Sequence, residues 1–236
     1  RVASLCGAAP EEVWLYPSGM AALAGALRAA QRLRPGKKSV QLGFPYVDLL
    51  KIQSVTGTGV HFIPRIDEAG LHALESLLQR EQVSAVFCEV PGNPLLQCVD
   101  LPRLSTLLRT YEVPLVVDDT PGTFANIDVL PYADMVATSL TKSFAGVGDV
   151  MAGSAVLNAA SPFAPGLREQ LGLLYEDLLW EEDAAALERN SRDFLPRMAQ
   201  INATAEALCD YLVTHPKVAR VYYPKYETPE QYAKVM

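Results

Sequence analysis

A chain of 236 residues that is 50% hydrophobic and 20% charged has enough apolar surface to bury a core, which excludes a disordered tail. Its formal net charge of −7 argues against a broad basic face for nucleic acid or acidic lipid, and no apolar run reaches the ~18 residues of a membrane span. The four cysteines, Cys6, Cys88, Cys98 and Cys209, are widely spaced with no C-x-x-C pair, and no basic leader opens the sequence, so the expected setting is reducing and cytoplasmic, without zinc or disulfides.

Taken in chain order, Trp14-Leu-Tyr-Pro-Ser-Gly-Met20 leads into the alanine-rich stretch Ala21 to Gln31, which predicts a helix with Ser18 as N-cap. The bare amides of Gly19 and Met20 then point at an anion. Ser39 to Phe44 predicts a strand, Val47 to Val55 a helix, and Val60 to Pro64 a strand. Leu71 to Glu81 predicts a helix with Leu71, Leu74, Leu77 and Leu78 on one face. The apolar strand Ala85 to Val90 breaks into Pro91-Gly-Asn-Pro94, a loop suited to presenting Asn93. Asp100 caps a helix over Pro102 to Tyr111, and the run Leu115 to Asp118 is a strand ending in two acids, Asp118 and Asp119. Met135 to Leu140 predicts a strand that gives way to Thr141, Lys142 and the glycine-rich Gly146-Val-Gly-Asp149, and Gly153 to Leu157 a further strand. Beyond Asn158 helices dominate, with turns at Pro162 and Pro165. The acidic run Glu181-Glu182-Asp183 reads as a solvated helix start, Pro196 to Val213 as a long helix, and Val218 to Tyr223 as a last strand. The alternation predicts an α/β fold, a mostly parallel sheet flanked by helices. Ligands of such sheets sit beyond the carboxyl ends of the strands, where Glu89, Asp118 and Ser139 stand.

Lys142 gives that edge its chemistry. An amine at a strand end beside phosphate-binding hydroxyls suits a covalent aldehyde cofactor, and pyridoxal 5'-phosphate is the expected one, joined to Lys142 as an imine. Asp118 then faces the ring nitrogen and keeps it protonated, while Asp119, on the opposite side of the strand, caps or pairs nearby. The phosphate is expected on the amides of Gly19 and Met20 and the hydroxyls of Ser139 and Thr141, which share a face if the backbone stays extended. A dinucleotide fingerprint at Gly146-x-Gly148 fails, because Met151 stands at the third glycine position and no helix follows.

Four motifs, Ser18-Gly-Met20, Pro91-Gly-Asn-Pro-Leu-Leu96, Val116-Val-Asp-Asp-Thr120 and Ser139-Leu-Thr-Lys142, occur in an order and spacing that resemble the pyridoxal-phosphate enzymes of cysteine and methionine metabolism. The segment Tyr175-Glu-Asp-Leu-Leu-Trp-Glu-Glu-Asp-Ala184, with Leu187-Glu-Arg-Asn-Ser-Arg-Asp-Phe194, is similar to the fungal cystathionine gamma-synthase branch. The resemblance implies a fold-type I large domain over residues 1–160, incomplete at its amino end. It further implies, over 161–236, linker helices and the beginning of a smaller, truncated α+β domain. By resemblance, Tyr46 stacks on the cofactor ring and assists Lys142 in proton transfer, and Asn93 contacts the ring hydroxyl. The glycines that usually follow this tyrosine are replaced by Val47 and Asp48, and the usual Gly-His-Ser-Asp by Gly146-Val-Gly-Asp149. The implied reaction is gamma-replacement on an O-acyl-homoserine with cysteine. Sulfide-using and carbon–sulfur lyase relatives share the same cradle, and an inactive cofactor- or partner-binding fragment is the rival reading. The family's amino-terminal arm and the arginine that clamps the substrate carboxylate are not in this sequence. Dimers paired into tetramers, with active sites shared between subunits, are the implied assembly.

Overall fold

The computed structural model describes residues 1–236, arranged as α1 (Val2–Cys6), β1 (Val13–Tyr16), α2 (Gly19–Leu33), β2 (Ser39–Leu42), α3 (Val47–Val55), β3 (Val60–Ile63), α4 (Glu68–Leu78), β4 (Val86–Glu89), α5 (Leu101–Thr110) and β5 (Leu115–Asp118). There follow α6 (Thr123–Asn126), β6 (Met135–Ser139), β7 (Gly153–Leu157), α7 (Ala164–Leu174), α8 (Glu181–Asn190), α9 (Phe194–Val213), α10 (Pro224–Glu227) and α11 (Pro229–Ala233). One seven-stranded sheet runs in the order β1-β7-β6-β5-β4-β2-β3. Strands β3, β2, β4, β5 and β6 are parallel, and β7 is antiparallel to both β6 and β1. No helix is long and apolar enough to cross a membrane.

Alternation along the central strands sorts their side chains into two cores. Val86, Cys88, Leu115, Val117 and Val136 join the leucines of α4 and α5. Phe87, Val116, Met135 and Ala137 join α2 and α7 on the other face. Helix α2 lies close against the sheet because its inner stripe is Ala22, Ala26, Ala29 and Ala30 beside Leu23 and Leu27, all buried. Its start is fixed by Ser18, whose hydroxyl accepts from Ala21 N at 3.1 Å. Asp67 and Asp100 cap α4 and α5 in the same way. The Asp67 cap explains why α4 opens three residues before the leucine pattern begins.

The structure corrects three sequence expectations. Val13–Tyr16, read as a lead-in, is an edge strand paired along its length with β7. Val218–Tyr223 is not a strand. It pairs with no strand of the sheet and runs irregularly into α10, held by the Arg220–Glu227 ion pair at 2.9 Å. Finally, β6 stops at Ser139, and Leu140 and Thr141 already belong to a turn.

Candidate active site

Period-two alternation carries Glu89, Asp118 and Ser139 to one face of the sheet, the face of Phe87, Val116 and Ala137, at its carboxyl edge. Glu89 and Asp118 are register partners on neighbouring strands. Asp118 is 6% exposed, accepts from Thr120 N at 3.0 Å and has no lysine or arginine beside it. Burial raises its pKa, opposed by the Thr120 hydroxyl and amide. Glu89 is pushed up to about 7 by burial and by the charge of Asp118, and pulled back by two main-chain N–H groups. Asp119 points the other way, as its alternate position predicts, and accepts from the Thr138 hydroxyl; burial pushes it up to about 7. A buried carboxylate at a strand end with no cation beside it fits a protonated ring nitrogen, which supplies the missing positive charge.

Next to the acids, the first turn of α2 abuts β6 and β7. A Cβ on Gly19 would fall 2.6 Å from Ser139 Cβ, and one on Gly153 2.3 Å from the Ser18 carbonyl oxygen, so both glycines are needed for this approach. The amides of Gly19 and Met20, at the first two helical positions, have no intrahelical carbonyl to serve. Together with the Ser139 hydroxyl they make a cup of suitable chemistry for a phosphate. Thr141 is placed differently from the extended-backbone expectation. In the turn after β6 its hydroxyl accepts from Ala152 N at 3.0 Å and donates to Ala152 O at 3.2 Å, which ties the turn to the start of β7.

Lys142 is exposed at that turn, its amide donating to Ser139 O at 3.3 Å. The turn rests on Arg197 of α9, whose guanidinium donates to the carbonyls of Ser143, Phe144 and Asn190. Gly146, at φ +75°, lies where any side chain would strike that guanidinium. Asn190 donates to Asp149 at 2.7 Å, and Val147 stands 67% exposed in the loop.

Tyr46 is 53% exposed at the entry to α3, and Asn93 is exposed in its loop. Their main chains meet at Glu89, which accepts from Tyr46 N at 2.9 Å and Asn93 N at 2.8 Å. Thr120 links the remaining pieces, since Ser139 N donates to its hydroxyl at 2.8 Å and its own amide serves Asp118. The structure thus joins Gly19 to Ser139, Ser139 to Asp118, and Tyr46 to Asn93, with Lys142 one turn beyond Ser139. Sequence reading placed Glu89 at this edge without a role and missed Thr120 and Arg197. Thr120 had a signal in its motif, and Glu89 one in its strand-end position. Arg197 had none.

The whole chain, residues 1–236, matches the Cys/Met metabolism PLP-dependent enzyme model. It is 46% identical over 223 residues to a cystathionine gamma-synthase of Neurospora crassa, covering 92% of this chain and 36% of that protein. It is 43% identical over 233 residues to the alanine racemase ungC of Aspergillus violaceofuscus, covering 94% of this chain and 40% of that protein. The solved structure of metB from Corynebacterium glutamicum superposes with a TM-score of 0.83 at 25% identity, covering 100% of this chain and 60% of that one. The chain therefore spans well under half the length of these two curated relatives.

Proposed function

We propose that this chain, which belongs to the Cys/Met metabolism PLP-dependent enzyme family, is the cofactor-binding part of a transferase that replaces the gamma substituent of an O-acyl-homoserine with the thiol of cysteine, giving cystathionine. The observation that carries the cofactor half is the unpaired, buried Asp118 on the same sheet edge as the Gly19–Ser139 cup, with Lys142 one turn away. The 46% identity to the Neurospora cystathionine gamma-synthase supports the reaction half.

Pyridoxal phosphate, when bound, supplies an electron sink for negative charge developed on substrate carbons beside the attached amine. Lys142 Nζ would hold the aldehyde and would carry protons at the substrate's alpha and beta carbons. Asp118 holds the ring-nitrogen proton in a charge-assisted hydrogen bond. The amides of Gly19 and Met20 and the Ser139 hydroxyl bind the phosphate, while Thr141 keeps the lysine turn in place. Tyr46 would cover the ring and assist Lys142, and Asn93 would contact the ring hydroxyl.

Residues 1–160 form the large domain in this reading, and 161–236 the linker helices and the start of a smaller one. Two such chains share each site, within a homotetramer. The four free thiols suit a cytoplasmic setting. A second reading follows from the 43% identity to an alanine racemase: the same cradle serves another reaction on an amino acid, a lyase or homocysteine synthase among them. Steady-state assay of the full-length protein separates the readings. Cystathionine formed from an acyl-homoserine plus cysteine is the expected product, and racemisation or carbon–sulfur cleavage alone overturns the transferase. Lys142→Ala lowers turnover by at least ~10²–10⁴-fold.

A further inference from the structure

We propose that Glu89 is a positioning residue whose two carboxylate oxygens hold the Tyr46 loop and the Asn93 loop at the end of β4, so that one side chain sets the place of both ring-facing residues. The inference rests on the cofactor reading for what Tyr46 and Asn93 face, but its geometry is independent of it. Oε2 accepts from Tyr46 N at 2.9 Å, and Oε1 accepts from Asn93 N at 2.8 Å. The two donors are far apart in sequence and belong to different connections, one leading into α3 and one leaving β4.

Neither loop has an equivalent tie of its own at these amides. Helix α3 has no side-chain cap from its N-cap residue, Tyr46, so the carboxylate of Glu89 meets that helix end from a neighbouring strand and also suits its dipole. The bonds within the Asn93 loop, Gly92 N to Gln97 O at 2.9 Å and Leu96 N to Gly92 O, close the loop upon itself without fixing it to β2 or α3. The Tyr46 and Asn93 side chains are both exposed, so packing does not hold them either. With Tyr46 N on one oxygen and Asn93 N on the other, the planar group must accept at both ends, and among side chains only a carboxylate offers that. A glutamine presents one oxygen and one NH₂, and its NH₂ turns a donor toward a donor. The charged groups near this carboxylate reduce to one, Asp118 of β5, which repels it. Glu89 is thus kept by its two N–H partners rather than by an ion pair.

The test uses the full-length protein with Glu89→Gln and Glu89→Asp, the second keeping the charge on a stem one methylene shorter. Amide hydrogen exchange in the cofactor-free protein is read at about pH 8, where Glu89 has shed its proton, at Tyr46 and Asn93, with Val116 and Val117 of β5 as internal controls. At least one of the two amides in either variant is expected to exchange about 10-fold faster or more, with the β5 amides unchanged. In the cofactor-loaded protein, E89Q is expected to change the visible circular dichroism of the ring, because Tyr46 and Asn93 no longer sit as they did. A merely structural glutamate lowers the melting temperature without separating these two amides from the sheet. Unchanged protection at both amides in both variants overturns the proposal. Failure of wild-type protein to show the visible band, or its persistence in K142A, sinks the cofactor reading instead and leaves the exchange result standing.

Discussion

At the scale of single residues, the site is built from buried acids and two glycines. Glu89 and Asp119, both held near 7, keep protons in the folded cofactor-free protein that the unfolded chain releases near its ordinary carboxylate pKa of ~4. Stability from these groups is complete below about pH 4 and is lost as pH rises through about 7, so the urea midpoint of the apo protein is expected to fall over that window. Asp119→Asn flattens the slope, and a slope unchanged in this variant removes Asp119 from the account. Gly153→Ala places a Cβ against the Ser18 carbonyl and moves the first turn of α2 off Ser139. The expected result is a cofactor affinity about 10-fold weaker or more, for a cost of roughly 1–3 kcal/mol in stability, measured by absorbance titration and chemical denaturation. The places of Lys142, Asp118 and Ser18 at element ends were legible in the sequence, because each combines a distinctive side chain with a clear element boundary. The roles of Glu89 and Arg197 were not, because both bind main-chain atoms of distant segments, and a carbonyl or amide has the same sequence signature everywhere.

Among elements, β6 and the turn after it show where pattern reading stops. The apolar run Met135 to Leu140 located the strand, but hydropathy does not record that the chain turns at Leu140, so Thr141 was assigned to the Ser139 face when its hydroxyl is held by Ala152. Val218–Tyr223 failed for a related reason: β-branched and aromatic residues favour a strand only where a neighbouring edge exists. Strand β1 was missed because four residues with a central tryptophan lack enough length to show alternation. The parallel core, by contrast, was plain, since its strands are short apolar runs bounded by acids and loops. Helix α9 supports the lysine turn through Arg197, which is partly buried, with a side-chain exposure of 20%. Arg197→Ala leaves the carbonyls of Ser143, Phe144 and Asn190 without their donor. It is expected to cost about 1.5–3 kcal/mol and to speed proteolysis or amide exchange at residues 143–146 well beyond that of β5. Equal exchange in the variant and the parent would show that the turn holds itself.

On the scale of the whole molecule, the two faces of the sheet are covered by different helices, α4 and α5 on one and α2 and α7 on the other, and the carboxyl edge between them is left open for the site. Helix α9 buries only Phe194 and Met198, while Leu195, Ile201, Leu208, Tyr211 and Val213 stay exposed. An apolar surface of that kind is expected to be covered in the full-length assembly, and light scattering of the full-length protein is expected to report a tetramer. The account turns on Lys142 as the anchor of pyridoxal phosphate, and borohydride reduction of the full-length protein followed by peptide mass mapping tests it most directly. The predicted result is one phosphopyridoxyl group per chain, carried by the peptide containing Lys142 and lost in K142A; a label on any other lysine, or no label at all, contradicts it.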